Sequence, residues 1–166
     1  PDAAALGRII AALRLECLYS TPLELWTAQG VPDPLLVQKL EIARALGAVA
    51  LKVSLGHFDE HCDVTALASL LPAQGPLLLV ENDQTLHGGR IEPMQRFFTE
   101  VERLGLPVKM TFDIGNWQWQ DQSAASAARL LADPQGPRIA VLDIGGWDTH
   151  AGQAIRLGNQ FLFPDQ

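Results

Sequence analysis

Pro76-Leu77-Leu78-Leu79-Val80-Glu81-Asn82-Asp83-Gln84 decides the fold: an unbroken apolar run of strand length that ends in a carboxylate and opens into a polar loop. A strand with one wet face alternates apolar and polar residues. A run without alternation suits a strand covered on both faces by helices, which is the situation in parallel sheets. Working outward, similar runs recur at residues 48–55, 107–112 and 138–142, and a shorter one at 15–20. Between them lie segments of helical period at 3–13, 34–46, 63–71, 92–104 and 124–132. Asp33 reads as an N-cap with Pro34 just inside the helix, Asp63 and Ser123 read as further N-caps, and Gly47 and Gly105 stand where helices close. Each crossover contains one helix and is long enough for a right-handed βαβ connection.

The expected fold class is therefore α/β, built from parallel βα repeats in a single domain over residues 1–166. About five such units form either an open doubly wound sheet or an arc of an eight-stranded barrel. No Gly-rich GxGxxG or GxxxxGK[ST] loop follows any strand, so nucleotide-binding folds lose support.

Composition narrows the function classes. Apolar residues make up 48% of the chain, enough for a core that needs neither disulfides nor structural metal. Nineteen Asp and Glu face twelve Lys and Arg, and the basic residues are scattered, which argues against nucleic acid and anionic membranes as partners. No apolar run approaches bilayer length. Cys17 and Cys62 stand far apart without zinc-site spacing, which suits a reduced, cytoplasmic protein.

In parallel α/β folds the chemistry sits at the C-terminal ends of the strands. There the sequence places Ser20-Thr21-Pro22-Leu23-Glu24, then Lys52, Ser54 and His57, then Glu81-Asn82-Asp83-Gln84, then Asp113-Ile114-Gly115-Asn116-Trp117, and finally Asp143. Carboxylates ending successive strands can converge on one divalent cation, Mg²⁺, Mn²⁺, Co²⁺ or Zn²⁺; each could equally be the N-cap of the next helix. Lys52 lies inside an apolar strand, where an ammonium must be paired or reach the mouth. It could stabilise an enediolate there, or pair with Glu81, or snorkel to the surface. His57 and His61 flank Asp59 and Glu60 in a loop and read as ligand contacts or as solvated residues. His87, before Gly88-Gly89, could close over a ligand or belong to a plain turn. Trp26, Trp117 and Trp119 could line the mouth and stack on a sugar ring, or fill the rim.

Four segments, in order and at βα spacing, resemble the sugar phosphate isomerase/epimerase family, the xylose-isomerase-like TIM barrels that also include endonuclease IV. They are Leu18-Tyr19-Ser20-Thr21-Pro22-Leu23-Glu24-Leu25-Trp26, Leu51-Lys52-Val53-Ser54-Leu55-Gly56, Leu79-Val80-Glu81-Asn82-Asp83-Gln84-Thr85 and Thr111-Phe112-Asp113-Ile114-Gly115-Asn116-Trp117. The resemblance covers residues 15–132. It implies a partial barrel and a metal-dependent sugar or sugar phosphate isomerase or epimerase of carbohydrate metabolism, acting through an enediolate. Glu81 and Asp113 would be metal ligands, with Glu81 also the base; the residues read above add Lys52 as catalytic and Glu24, Trp26, His57, Asn116 and Trp117 as substrate contacts. The family's Asp-x-Gly-His is here Asp113-Ile114-Gly115-Asn116, and the strands bringing its later His and Glu ligands are not recognisable.

Residues 133–166 diverge. The segment 137–153, with Gly145-Gly146-Trp147-Asp148-Thr149-His150, resembles a bacterial group related to sulfatases and alkaline phosphatases, and implies Asp148 and His150 as secondary metal candidates. The combination reads as a truncated or recombined chain. It leaves two alternatives to the isomerase: a non-catalytic fragment or binding module, self-associating as a homo-oligomer through exposed sheet edges, or a metallohydrolase.

Overall fold

The computed structural model describes residues 2–72 and 74–120, residues 123, 126, 127 and 129, and the strand Ile139–Asp143. In chain order the elements are α1 (Ala3–Ala12), β1 (Leu18–Trp26), α2 (Leu35–Leu46), β2 (Ala50–Gly56), α3 (Ala66–Leu70), β3 (Leu77–Glu81), α4 (Ile91–Leu104), β4 (Val108–Asp113), a 3₁₀ turn (Asn116–Gln120) and β5 (Ile139–Asp143). The expected caps are present: Asp33 Oδ1 accepts from the Leu35 N–H at 2.8 Å, and Asp63 Oδ1 from the Thr65 N–H at 3.0 Å. Gly47 and Gly105 end α2 and α4 in the left-handed conformation. Ser123 Oγ accepts from the Ser126 N–H at 3.0 Å, while most of the helix expected at 124–132 lies outside the described residues.

All five strands are parallel and lie in the order β1-β2-β3-β4-β5. Each strand is laid beside its predecessor, without the reversal that defines a doubly wound sheet. With right-handed crossovers, such an order sends every connecting helix to the same face.

The core agrees. Leu51, Val53 and Leu55 of β2, Leu78 and Val80 of β3, and Val108, Met110 and Phe112 of β4 form one cluster with Leu36, Leu40 and Ala43 of α2, Leu67 of α3 and the Met94-Phe97-Phe98-Val101 stripe of α4. Burying each large side chain of that stripe contributes about 1.5–3 kcal/mol before entropy is counted. The alternate strand residues point the other way: Lys52 and Lys109, level with Leu79, and Ser54, Glu81 and Asp113 beyond it stay partly exposed, around a small apolar pair, Ala50 and Leu79, with Leu18 and Leu77 against it.

The expectation of helices on both faces is thus corrected for the described residues. The strands read as apolar runs because their helix-facing residues are apolar throughout, while the second face mixes Ala50, Leu77 and Leu79 with Lys52 and Lys109 and turns polar toward the C-terminal ends.

A second correction concerns β1, which runs on to Trp26 instead of ending at residue 20. Its register with β2 jumps from Ser20↔Lys52 to Glu24↔Ser54, so four steps along β1 match two along β2. The irregularity contains Pro22, which has no N–H to give a ladder and is tolerated at a bulge on an edge strand. Because the surplus is even, the in-out alternation is kept, and Glu24 emerges on the same face as Ser20 and Lys52. No helix among the described residues is long and apolar enough to cross a membrane.

Candidate functional site

The polar face opens at the strand C-termini into a cleft of about 490 Å³, lined by Glu24, Lys52, Ser54, Glu81, Asp83 and Thr85 among others. Lys52 Nζ donates to Glu81 Oε1 at 2.7 Å, and the two side chains are only 19% and 18% exposed. An ammonium in an apolar strand is thereby matched to a carboxylate one strand over, so the paired alternative for Lys52 holds.

Beside this pair, Glu24 reaches two imidazoles. Its Oε1 lies 3.0 Å from His87 Nε2 and its Oε2 lies 3.7 Å from His57 Nε2. The two rings stack at 3.7 Å between centroids with 13° between planes. One ligand atom from each residue falls within 4.8 Å of the others, so Glu24, His57 and His87 form a group that could hold a metal ion.

Local structure brings the three together. His57 follows β2, and its N–H donates to Trp26 O at 2.9 Å, carrying the β1–β2 ladder one step further. The turn into it needs Gly56, with φ of 71°, where a Cβ would stand 2.5 Å from Trp26 O and 2.7 Å from Glu24 Cβ. Phe58 then anchors the loop between Trp26 and Phe97, at centroid distances of 5.5 and 5.3 Å. Under the same loop, Cys62 Sγ donates to His57 O at 3.8 Å, and burial pushes its thiol above the usual range.

His87 rides on a closed loop in which Asp83 Oδ1 accepts from Thr85 N and Oγ1, at 2.7 and 2.6 Å, and Thr85 Oγ1 accepts from the Gly88 N–H at 2.9 Å. Gly88 and Gly89 press on Asp83 so closely that neither has room for a Cβ.

The mouth between β3 and β4 is built differently. Asn82 is completely buried; its Nδ2 donates to Asp113 O at 2.8 Å and its Oδ1 accepts from the Asp113 N–H at 2.9 Å. The amide thus replaces a backbone rung where the two strands part. Asn116 Nδ2 donates to Asn82 O at 2.8 Å, its N–H donates to Asp113 Oδ1 at 2.9 Å, and its Oδ1 accepts from Gln84 Nε2 at 3.2 Å.

The sequence-derived candidates therefore separate. Lys52, Glu81 and Glu24 share the cleft, and His57 joins Glu24. Asn116 spends its polar atoms tying two loops together. Glu81 and Asp113 were expected to ligate metal, but among the described residues neither belongs to a three-ligand group: Glu81 is held by Lys52, and Asp113 accepts from Asn116. The stacking role expected of Trp26 and Trp117 is corrected, since both are fully buried, Trp26 against Phe58 and Trp117 against Phe112. A large ring that can complete the core gains more there than at a wet rim. Trp119, 67% exposed, is the aromatic that does meet solvent here. Asp148 and His150 lie outside the described residues.

Sequence reasoning missed the grouping of His87 with Glu24 and His57. The available signal was that each of three consecutive strands delivers a metal-competent side chain at its C-terminal end or in the loop after it. The sequence singles out Glu24 and His57 as substrate contacts and His87 as a residue that could close over a ligand, but not as one group.

No family model matches the sequence, and no curated protein matches it. Among solved structures the chain is similar to one described as "The crystal structure of AsfvAP:AG", with 17% identity and a TM-score of 0.60. The match covers 93% of this chain and 57% of that one, so the chain spans little more than half that protein's length. At this identity the likeness is one of fold.

Proposed function

We propose that the protein is an isomerase or epimerase of a small sugar or sugar phosphate, working by proton transfer next to a carbonyl, and that its sheet is a five-stranded arc of a xylose-isomerase-like barrel. Unidirectional strand order, helices on one face and polar residues on the other support the barrel reading. The observation that carries the function is the Lys52–Glu81 pair, 2.7 Å apart and four-fifths buried in a cleft ringed by the hydroxyls of Ser20, Thr21, Ser54 and Thr85.

In this reading Glu81 removes the proton from the carbon beside the carbonyl, and the electron pair moves onto the carbonyl oxygen. The Lys52 ammonium donates to that oxygen as its charge develops in the enediolate. Isomerisation follows when the hydroxyl proton of the adjacent carbon passes to the enediolate oxygen, by way of Lys52, and Glu81 returns the carbon proton to the former carbonyl carbon. Return of the proton to the opposite face of the original carbon epimerises it. The hydroxyls supply the hydrogen bonds that orient a polyol. A divalent cation, Mn²⁺, Co²⁺, Mg²⁺ or Zn²⁺, belongs with this reading, since a Lewis acid makes the carbon acid stronger. Glu81 and Asp113, the family-type ligands, would need further donors to complete a site for the cation.

The test is hydrogen exchange. Ketoses and ketose phosphates incubated with the protein in D₂O, with each of these cations, should gain deuterium at the carbon next to the carbonyl, read by NMR. Absence of exchange from every substrate with every cation would sink the reading.

A further inference from the structure

We propose that Glu24, His57 and His87 are a divalent-cation site in their own right, selective for a borderline ion such as Zn²⁺ or Co²⁺ over Mg²⁺, with its open coordination position toward the Lys52–Glu81 cleft.

The geometry is close to what such an ion requires. Four ligands about 2.0–2.1 Å from a tetrahedral zinc lie about 3.3 Å from one another. The carboxylate oxygens of Glu24 lie 3.0 Å from His87 Nε2 and 3.7 Å from His57 Nε2, on either side of that value. Both Nε2 atoms are turned toward Glu24, and because the rings stack at 3.7 Å with 13° between planes, one ring has to tilt for the two lone pairs to converge on a common ion.

Each ligand is also held from behind. Glu24 sits on β1 past the bulge, His57 on a turn locked by Gly56 and by the bond to Trp26 O, and His87 on the Asp83–Thr85–Gly88 loop. Ligands fixed before the ion arrives lose little freedom on binding it.

Donor chemistry gives the selectivity. Two imidazole nitrogens and one carboxylate oxygen suit zinc, cobalt and their neighbours. Magnesium prefers an octahedron of oxygens and keeps its waters. The three side chains are 33–39% exposed, which leaves the ion an entry path. Three protein ligands leave a fourth position for water or substrate, the pattern of a reactive rather than a structural zinc site. Because Glu24 also lines the cleft that holds Lys52 and Glu81, an oxygen bound at that position would lie next to the proton-transferring pair.

The site does not depend on sugar turnover, so its test reads metal directly. The full-length, metal-free chain is titrated calorimetrically with Zn²⁺, Co²⁺ and Mg²⁺. Expected are one-to-one binding of Zn²⁺ and Co²⁺, no saturation with Mg²⁺, loss of the tight site in Glu24→Gln, His57→Ala and His87→Ala, and its retention in Glu81→Gln and Asp113→Asn. Should a histidine variant fold poorly, imidazole ¹⁵N spectra of the unmodified chain decide: zinc should shift His57 and His87 while His61 stays put. Failure to bind Zn²⁺ and Co²⁺, which would leave a hydrogen-bonded Glu–His cluster only, overturns the proposal. So does binding that survives in the histidine variants and disappears in Glu81→Gln. A chain that binds zinc through the triad yet exchanges no sugar proton keeps this site and loses the isomerase reading.

Discussion

The two mouths at the top of the sheet use the same polar residue types for opposite ends. Between β1 and β3, Glu24, Lys52 and Glu81 line a cleft, Lys52 is paired with Glu81, and His57 and His87 meet Glu24 beside it, all through side-chain atoms. Between β3 and β4, Asn82, Asp113 and Asn116 are bound largely to backbone, and the buried Asn82 amide substitutes for a ladder rung. A charged or imidazole group held by other side chains can exchange them for a ligand. An amide that binds main chain through both its donor and its acceptor, as Asn82 does, serves as scaffold. The first mouth should therefore govern chemistry and the second stability, and substitutions in each should give separable effects.

The largest effect is expected in the first mouth. Glu81→Gln keeps the shape and removes the base, and should lower proton exchange about 10²–10⁴-fold, the usual worth of a positioned acid-base group. Lys52→Met should lower it comparably by removing the donor to the developing oxyanion. Both should unfold cooperatively. Equal exchange by wild type and Glu81→Gln would break the division at its stronger end.

In the second mouth, Asn82→Ala takes the fully buried amide away from the Asp113 N–H and C=O. Each buried group left unpaired costs about 1–3 kcal/mol, so a loss of about 2–5 kcal/mol is expected in urea unfolding. Asn116→Ala, in a less buried position, should cost about 1–2 kcal/mol and leave metal titrations unchanged. If Asn116→Ala abolished exchange without altering stability, Asn116 would move from scaffold to site.

Particular residues show how much of this was legible beforehand. The helix caps Asp33 and Asp63 and the closing Gly47 and Gly105 were readable because capping is local, settled within a few residues of chain. Lys52 stood out because a lysine in an apolar strand must find a partner, and Glu81 was the nearest acid one strand away. The β1 bulge was not readable, since Ser-Thr-Pro signals a strand's end unless a neighbouring strand holds the chain extended beyond it. The Glu24–His57–His87 group was hidden for a related reason. It joins one residue of β1 to two loop residues, and only the register of three strands decides that their side chains meet. The burial of Trp26 likewise depends on Phe58, which lies in a different segment of the chain.

The smallest expected effect offers a reporter on the first mouth. Cys62 lies beneath His57, donating to its carbonyl at 3.8 Å, and burial raises its thiol pKa. A raised pKa means less thiolate at a given pH, and thiolate is the species that reacts with iodoacetamide. In a Cys17→Ser background, native Cys62 should therefore label more slowly than the same residue in urea at neutral pH. The gap should narrow as pH rises past the ordinary thiol range, because the unfolded thiol is by then fully ionised while the native one is still catching up. The same sign makes ionisation of Cys62 oppose folding at alkaline pH, and Cys62→Ser should remove that increment of instability. Zinc ties the two mouths' comparison to this rate: an ion on Glu24, His57 and His87 would hold the 57–62 loop closed and slow native labelling further, without changing the rate in urea. Labelling that ignores zinc while calorimetry shows binding would place the ion away from His57.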